Sequence, residues 1–351
     1  MGAGRLGSNP TGHSRITGLG TYRPRRVVFN REVCARIDSS EEWIETRSGI
    51  RTRRFAAPDE TLCAMASAAG RRALGHAGID SEQLDCLILA SMSHLVQTPP
   101  LAIAVAHELG AVNTAAFDLS AACAGFCHAL AVASDMVRAG DARHVLVIGA
   151  ERMTDIVDPG DRNTAFMFAD GAGAVVVGPS AQPGIGPVVR GADGAFLDAL
   201  RMNTSWAAFR DDPALDRPMM KMDGRRVFRW AVDRVVEAGR RALKDAGVSV
   251  DDLVAFVPHQ ANARMIDVLA DRLALPEHVV VARDVVTAGN TSAASIPLAM
   301  ERLLCDGEVP SGGPALLIGF GAGLNYAGQV VLLPDAPADP APAEAPMAAE
   351  E

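Results

Sequence analysis

The chain has 351 residues with a formal net charge of −9 at pH 7, and 49% of its residues are hydrophobic. That length holds two domains or one large duplicated domain, and the composition is typical of a globular protein. The acidic balance argues against a nucleic-acid partner, because phosphate backbones are bound through Lys and Arg. No apolar run approaches the length that spans a membrane, and the first residues lack a signal-peptide core. We therefore expect a cytoplasmic protein that binds no membrane, with its six cysteines reduced.

The predicted elements begin after a Gly-rich, polar segment at residues 1–12, which we expect to be disordered. A helix that starts near Arg71 and ends at Gly78 is followed by the apolar strand LDCLILAS. Two further strands, AAFDLS and HVLVIGA, flank the helical sequence AGFCHALAVASDMVRAG. Helices that alternate with short Val-, Ile- and Leu-rich strands predict largely parallel sheets covered by helices, which is an α/β fold.

The second part of the chain repeats this order. RRALKDAGVSVDDLVAFVPHQ, from Arg240, matches RRALGHAGIDSEQLDCLILAS, from Arg71, at an offset of 169 residues. At the same offset GNTSAAS falls on SAACAGF, and one residue further on LIGF falls on VIGA. Three such matches predict two similar halves, at 13–180 and 181–333, whose strand ends meet at one central cleft. The Pro-, Ala- and Glu-rich tail at 334–351 is predicted to be disordered.

Two cysteines four residues apart, Cys123 and Cys127, lie in the first half, and His128 follows them. No second Cys/His pair stands at zinc-like spacing, and a Cys-x-x-Cys redox motif has two intervening residues rather than three. Cys123 is predicted to open a helix, where free N–H groups and the helix dipole stabilise a thiolate. Cys127, one turn later on the same face, is predicted to be buried behind it. We therefore interpret Cys123 as a nucleophile and Cys127 as a core residue.

The second half supplies polar partners for this nucleophile. VPHQAN places His259 at the end of a predicted strand and Asn262 at the start of a helix, and TAGNTSAAS places Asn290 near the counterpart of Cys123 in the repeat. A strand-end histidine by itself is more often a structural hydrogen-bonding group. The duplication, however, predicts that Cys123, His259 and Asn290 converge on one cleft. GFGAGLNYAGQ, at 319–329, is a Gly-rich turn where backbone N–H groups approach a ligand closely.

These motifs together resemble a known family. SAACAGF, VPHQAN, GNTSAAS and GFGAG in this order, with EEWIETRSGIRTRR near the start and FADGAGA mid-chain, are similar to the β-ketoacyl-ACP synthase III family of the thiolase superfamily. The resemblance covers residues 14–333 and is closest to actinobacterial priming ketosynthases of aromatic polyketide pathways. It implies a thiolase-like fold, in which two duplicated α/β halves form five αβαβα layers about a pseudo-two-fold axis.

The resemblance also implies the activity. An enzyme of this family is an acyltransferase that condenses a short-chain acyl-CoA primer with malonyl-ACP, which gives 3-ketoacyl-ACP, CO2 and CoA and initiates polyketide or fatty-acid synthesis. Cys123 would carry the acyl group as a thioester, while His259 and Asn290 would donate hydrogen bonds to the malonyl thioester oxygen. The backbone N–H groups of Cys123 and Ala322 would form an oxyanion hole, and Phe320 would shield the cysteine. Coenzyme A enters as part of a substrate, and neither a cofactor nor a metal is implied.

The remaining site residues are also carried over from the resemblance. Thr98 would reach the primer pocket of the other subunit of a homodimer, and it stands where members restricted to very short primers often have Phe. Eight basic and three acidic residues lie between 217 and 241, which suits an acidic carrier protein as partner. The implied sets are, for CoA, Trp43, Arg47, Arg162, Gly224, Phe228, Ala261 and Asn262; for the primer pocket, Thr98, Phe168 and Met202; and for ACP docking, Arg229, Arg264 and Arg272.

Other functions of related proteins leave different signatures. A degradative thiolase has a second active cysteine in the last Gly-rich turn, and GFGAG contains none. An elongating ketosynthase has a second histidine in place of Asn290, and a non-catalytic partner has usually lost Cys123 or His259. The alternative that stays open is a CoA-dependent acyltransferase that uses the same cysteine on a non-malonyl acceptor.

Overall fold

The structure, a computed structural model, describes residues 12–338. The two ends predicted to be disordered fall largely outside this range. The elements of the first half are β1 (His13–Tyr22), β2 (Arg26–Phe29), α1 (Asn30–Ile37), α2 (Glu41–Ser48), β3 (Thr52–Phe55), α3 (Leu62–Ala77), β4 (Cys86–Ala90), α4 (Leu101–Leu109), β5 (Ala115–Leu119), α5 (Gly125–Ala139), β6 (Val145–Arg152) and β7 (Asp170–Ser180).

The second half follows with a long helix and a second set of strands. Its elements are β8 (Val189–Ala192), β9 (Leu200–Met202), α6 (Trp206–Asp211), β10 (Met220–Met222), α7 (Gly224–Ala246), β11 (Ala255–Pro258), α8 (Ala263–Leu273), β12 (Val280–Val281), α9 (Val285–Ala288), α10 (Ser295–Cys305), β13 (Pro314–Gly321) and β14 (Asn325–Leu332).

Two five-stranded sheets form the frame of the molecule, in the orders β1-β7-β6-β4-β5 and β12-β11-β13-β14-β8. β4 pairs in parallel with β5 and β6, and β11 pairs in parallel with β12 and β13. The remaining pairings, β1 with β7, β6 with β7, β13 with β14 and β14 with β8, are antiparallel. The prediction of largely parallel sheets is therefore wrong for half of each sheet, because β7 and β14 return beside the preceding strand without a helical crossover.

The helices form three layers around the two sheets. α3 and α4 cover the outer face of the first sheet, α5 and α10 lie between the sheets, and α7 and α8 cover the outer face of the second. Successive strand residues point to opposite faces, so that Ile88 packs in the middle layer and Leu87 packs in the outer one. The result is the expected order of five αβαβα layers.

The internal repeat is visible in the structure, with one shift in register. β4 starts at Cys86 and β11 starts at Ala255, an offset of 169 residues. The 3₁₀ turns Ala122–Ala124 and Ser292–Ala294 are 170 residues apart, and their first residues have left-handed φ angles of 46° and 49°. The match of GNTSAAS to SAACAGF at 169 was therefore one residue off, because the second half has one more residue before its turn. The counterpart of the nucleophilic cysteine is an alanine.

Local signals account for the ends of the long helices. Gly78 and Gly247 adopt left-handed φ angles of 65° and 67° after α3 and α7, as the sequence predicts. Among the described tail residues, Pro334 and Pro337 are buried, and the rest of that predicted tail lies outside the description.

Across residues 12–338, no helix combines the length and the apolar character that crossing a membrane would require.

Candidate active site

Cys123 lies in the 3₁₀ turn that leads directly into α5, which places the positive end of the helix dipole at the cysteine. Its side chain is only 4% exposed, and burial raises the pKa of the Cys123 thiol to about 12. Burial therefore opposes the helix dipole, and the resting side chain is a thiol. A thiolate forms in this environment only if a group nearby accepts the proton.

The end of β13 packs directly against this turn. A Cβ atom at Gly321 would lie 2.8 Å from the backbone nitrogen of Cys123, and one at Gly319 would lie 2.9 Å from the Cα atom of Ala124. The sequence analysis assigned the glycines of GFGAG to a ligand, but these two are required by the approach of β13 to the cysteine turn. Phe320, between them, lines the cavity of the site and packs its ring edge-on against His259, with centroids 5.2 Å apart.

His259 follows β11 and is held by backbone and side-chain contacts. Its backbone N–H donates to the Ile318 carbonyl at 2.8 Å, and its Nδ1 lies 2.8 Å from Ser295 Oγ. Ser295 Oγ also accepts the backbone N–H of Gln260 at 3.2 Å, so its own proton is free to point at Nδ1. That arrangement selects the tautomer with hydrogen on Nε2. Burial lowers the pKa of His259 to about 3, so the ring stays neutral and Nε2–H is a donor.

Asn290 is fixed with its amide nitrogen toward the same space. Its Oδ1 accepts the backbone N–H of Ser292 at 2.9 Å, which identifies the oxygen side of the amide. Its Nδ2 donates to the Ala261 carbonyl at 3.4 Å, and its backbone N–H donates to the Met167 carbonyl at 2.8 Å. The second hydrogen of Nδ2 remains for a ligand.

The three polar side chains predicted to converge do so at one cavity of about 610 Å³. Cys123, His259 and Asn290 all line it, although they come from both halves of the chain. The other predicted residues in its wall are Arg47, Phe168, Gly224, Phe228, Arg229, Ala261, Asn262, Arg264 and Phe320.

A stack of cationic and aromatic side chains lies beside this cavity. The guanidinium carbons of Arg47 and Arg162 lie 5.5 Å and 4.9 Å from the centre of the Trp43 ring, and Phe166 packs against Trp43 edge-on at 5.2 Å. Arg47 and Phe166 line the cavity, whereas Trp43 and Arg162 lie beyond its wall. Such a stack suits a planar, negatively charged ligand.

Four predicted residues are absent from the cavity wall within residues 12–338: Thr98, Met202, Arg272 and Ala322. Thr98 lies in an exposed loop before α4, and Arg272 lies in the last turn of α8. Leu200, two residues before Met202 on β9, lines the cavity in its place. Ala322 follows β13, and its carbonyl accepts Asn325 Nδ2.

Positive charge is concentrated where the cavity opens. Arg225, Arg229 and Arg264 line the cavity, and none of them forms a salt bridge within the described part of the chain. Other basic residues of the run between 217 and 241 do have acidic partners: Lys221, Arg226, Arg234 and Arg241.

The second cysteine of the pair is a core residue, as predicted. Cys127 is fully buried in the middle layer, and burial raises the pKa of its thiol to about 12. His128 points elsewhere and interacts with Asn325, and burial lowers the pKa of His128. In the region from 12 to 338, no three His, Cys, Asp or Glu side chains are grouped so as to hold a metal ion.

Three buried side chains at the site were missed from the sequence: Ser295, Ser292 and Glu151. Ser295 orients His259, and Ser292 Oγ donates to Glu151 Oε1 at 2.9 Å beside the cysteine turn. The GNTSAAS motif contains both serines, but serine in a small-residue turn carries no distinctive pattern. A Glu directly after the apolar run HVLVIGA was the one available signal, since an ionisable residue is rarely fully buried without a purpose.

Two family models match the chain. The model of 3-oxoacyl-[acyl-carrier-protein (ACP)] synthase III matches residues 117–194, and the model of its C-terminal region matches residues 243–333. A β-ketoacyl-[acyl-carrier-protein] synthase III of Streptomyces lividans is 62% identical over 328 residues, which cover 93% of this chain and 97% of the relative. The chain belongs to the β-ketoacyl-ACP synthase III family. Its members are acyl-transferring condensing enzymes.

Solved structures of synthase III relatives have the same fold. The priming β-ketosynthase of the R1128 polyketide biosynthetic pathway superposes with a TM-score of 0.93 at 61% identity, over 95% of this chain and 99% of that one. The synthase III of Aquifex aeolicus VF5 superposes with a TM-score of 0.84 at 37% identity, over 91% of this chain and 99% of that one. The thiolase-like fold class is thereby confirmed.

Proposed function

We propose that this synthase III condenses a short-chain acyl-CoA with malonyl-ACP through Cys123, His259 and Asn290. The observation that carries the proposal is the convergence of these three side chains, from two halves of the chain, on one cavity. The geometry supplies one nucleophile and two neutral hydrogen-bond donors, with no titrating base among the three. That combination suits a reaction in which one thioester is attacked and a second thioester becomes an enolate.

In the first step, Cys123 attacks the carbonyl carbon of the acyl-CoA, and the CoA thiolate leaves. The oxyanion that develops would be met by the backbone N–H groups of Cys123 and Ala322. The position of Cys123 at the start of α5 adds the positive end of the helix dipole. The acyl group then remains on sulfur as a thioester while CoA departs and malonyl-ACP enters.

In the second step, malonyl-ACP loses CO2, and negative charge develops on its thioester oxygen. His259 Nε2–H and Asn290 Nδ2–H are oriented donors, because their other polar atoms are occupied by Ser295 and Ser292. Donors already in place when charge develops stabilise the transition state without reorganisation. Phe320 packs against His259 at the cysteine and keeps water from the enolate. The carbanion attacks the Cys123 thioester and releases 3-ketoacyl-ACP.

The CoA portion of the primer is proposed to lie along the polar wall of the cavity and its aromatic stack. Trp43 with Arg47 and Arg162 would take the adenine ring and the phosphates, since these side chains already stack in the structure. The narrower part of the cavity would take the pantetheine arm, along Gly224, Phe228, Ala261 and Asn262. Phe168 and Leu200 would line the primer pocket, with Met202 behind them.

The carrier protein is proposed to dock at the cavity mouth through Arg229 and Arg264, with Arg272 at the edge of the same face. Arg229 and Arg264 have no acidic partner within residues 12–338, so their charge is available to an acidic domain. The charge map supports this proposal because the other basic residues of the run are largely neutralised internally.

We further propose a homodimer formed through β5. This strand is an edge of the first sheet, and its Phe117 is 39% exposed. An unpaired edge with apolar side chains is a template for a second strand, so a second copy would continue the sheet. The loop that holds Thr98 precedes β5 and would reach the partner's cavity. Exposed apolar residues that precede or belong to this strand are Leu95, Val96, Ile103, Val112 and Phe117.

The dimer proposal is tested by light scattering after size exclusion. Phe117→Lys should shift the protein toward the mass of one chain, because a charge at the centre of the paired strands disfavours association. Leu332→Lys is the matched control, since Leu332 is also 39% exposed but lies on β14. A wild-type protein of single-chain mass would overturn the proposal.

The pathway is proposed to be polyketide priming in the cytoplasm, and the two halves, 13–180 and 181–333, are proposed to descend from one duplicated unit. The likeness to the R1128 priming ketosynthase supports the pathway, and the shared strand and turn order supports the duplication. Free thiols at all six cysteines suit a reducing compartment. No cofactor and no metal are expected in the reaction, and this remains a prediction.

Product analysis tests the function. Acyl-CoA and malonyl-ACP are mixed with the enzyme, and the products are separated by chromatography with CO2 measured in parallel. Condensation releases CO2 and lengthens the acyl group by two carbons. An acyltransferase acting on another acceptor gives neither result, and that outcome would replace the proposed function with the alternative one.

A further inference from the structure

A buried carboxylate lies behind the nucleophile, and the mechanism above does not use it. Glu151, in β6, is fully buried. It accepts hydrogen bonds from Ser93 Oγ at 2.6 Å, from the backbone N–H groups of Met92 and Ser93 at 3.1 Å, and from Ser91 Oγ at 3.1 Å. Ser292 Oγ donates to Glu151 Oε1 at 2.9 Å from the opposite side. A carboxylate with this many donors is stabilised in place, although it has no cationic partner at salt-bridge distance within residues 12–338.

Ser292 connects this carboxylate to the cysteine. It is fully buried and begins the 3₁₀ turn that contacts the turn of Cys123. Its left-handed φ of 49° is unusual for a residue with a side chain, and it brings the hydroxyl between the two groups. The thiol of Cys123 lies within hydrogen-bonding reach of Ser292 Oγ. The order of groups is therefore thiol, hydroxyl and carboxylate.

We propose that Ser292 and Glu151 form a proton relay that accepts the proton of the Cys123 thiol when the cysteine attacks acyl-CoA. The inference rests on the proposed acylation of Cys123. Sulfur gives its proton to Ser292 Oγ as the S–C bond forms, and Ser292 gives its own hydroxyl proton to Glu151 Oε1. The thioester C–S bond to CoA breaks, and the CoA thiolate leaves. One carboxylate, one thiol and one acyl-CoA thus become one carboxylic acid, one acyl-cysteine and one CoA thiolate.

The relay also returns the proton. When the enolate attacks the acyl-cysteine, the sulfur leaves as a thiolate, and Glu151 gives its proton back through Ser292. Glu151 is therefore uncharged while the malonyl group loses CO2. A buried anion beside the developing enolate would oppose that step, so storing the proton on Glu151 favours it. The groups return to their initial protonation states at the end of each turnover.

The electrostatic alternative makes the opposite prediction. An ionised Glu151 that only sits near the thiol disfavours the thiolate, and burial of Cys123 acts in the same direction. If Glu151 had no role except its charge, removing that charge by Glu151→Gln would speed acylation. If Glu151 accepts the proton, the same change slows acylation. The direction of the effect separates the two explanations.

The experiment measures the burst of CoA released from acetyl-CoA by quenched flow, with decarboxylation of malonyl-ACP as a second readout. Glu151→Gln and Ser292→Ala should each slow the burst by about a hundredfold, the usual size of a general-base contribution. Decarboxylation should change by less than about threefold, because it depends on His259 and Asn290. Ser91→Ala is the matched control, since it also removes a donor to Glu151 but lies away from Cys123.

The double variant Glu151→Gln with Ser292→Ala should be no slower than the worse single variant, since both act on one proton path. A burst at the wild-type rate or faster in Glu151→Gln overturns the relay, and so does full additivity in the double variant. If Glu151→Gln does not fold, Ser292→Ala decides alone because it keeps the carboxylate. A wild-type enzyme without any burst contradicts the proposed function instead.

Discussion

Ser295 Oγ lies 2.8 Å from His259 Nδ1, and the same oxygen accepts the backbone N–H of Gln260. The hydroxyl proton therefore points at the imidazole and places hydrogen on Nε2, toward the cavity. Ser295→Ala removes this constraint without touching the reacting atoms. We expect decarboxylation of malonyl-ACP to fall by about tenfold, less than the roughly hundredfold or greater loss from removing an oxyanion donor outright. The Cys123 acylation burst should be unaffected, and an equal loss in both steps would contradict the assignment.

The low pKa of His259 predicts a flat pH profile for decarboxylation. Burial lowers that pKa to about 3, so the imidazole is neutral and Nε2–H remains a donor from pH 5.5 to pH 8. The measurement uses Cys123→Ala, in which no cysteine at the site titrates, and follows CO2 release. An inflection near pH 6.5, the value of an ordinary histidine, would show that His259 is solvated and protonates in the working enzyme.

The two cysteines should respond differently to substitution. Cys123→Ala should abolish the acyl-enzyme in intact-mass spectrometry while some decarboxylation remains, because His259 and Asn290 are unchanged. Cys127→Ser should retain the acyl-enzyme and lose about 1–3 kcal/mol of stability, the cost of a poorly satisfied hydroxyl in an apolar layer. A thioester still formed by Cys123→Ala would show that the nucleophile is another residue.

The docking proposal predicts a selective change in KM. Replacing Arg229 and Arg264 together by Glu should raise KM for malonyl-ACP strongly and for malonyl-CoA little, because only the carrier protein contacts that face. Arg241→Glu is the matched control, since Arg241 lies on the same helix as Arg229 but pairs with Asp245. Equal effects on the two malonyl donors, or an equal effect of the control, would exclude this face.

Primer length should depend on Thr98 if the proposed dimer forms. Thr98→Phe fills space that each added methylene of the primer needs, and a methylene contributes roughly 1–3 kcal/mol in an apolar pocket. We expect kcat/KM for butyryl-CoA to fall by at least about tenfold while acetyl-CoA is spared. Met202 or Phe209 would be the gate instead if the wild type already refused four-carbon primers. A uniform loss for all primers would also reject Thr98.

Much of the site followed from short-range patterns. Cys123, His259 and Asn290 were identified because each stands next to a strand end or helix start whose signals lie within ten residues. The internal repeat then predicted that they meet, and the shared cavity confirms that placement. The mixed sheets were not predictable in this way, because an apolar run shows no direction. β7 and β14 have the same composition as the parallel strands, and only their pairing distinguishes them.

The amino-acid sequence by itself determined the family, the nucleophile and the two donors, because these depend on residue types in local motifs. Only the tertiary structure decided how the groups are tuned. Burial of Cys123 favours its thiol, Ser295 selects the tautomer of His259, and Ser292 joins the cysteine to Glu151 across the two halves. Burial and hydrogen-bond partners are set by residues distant in sequence, 141 positions apart for Ser292 and Glu151. A local pattern therefore carries no record of them.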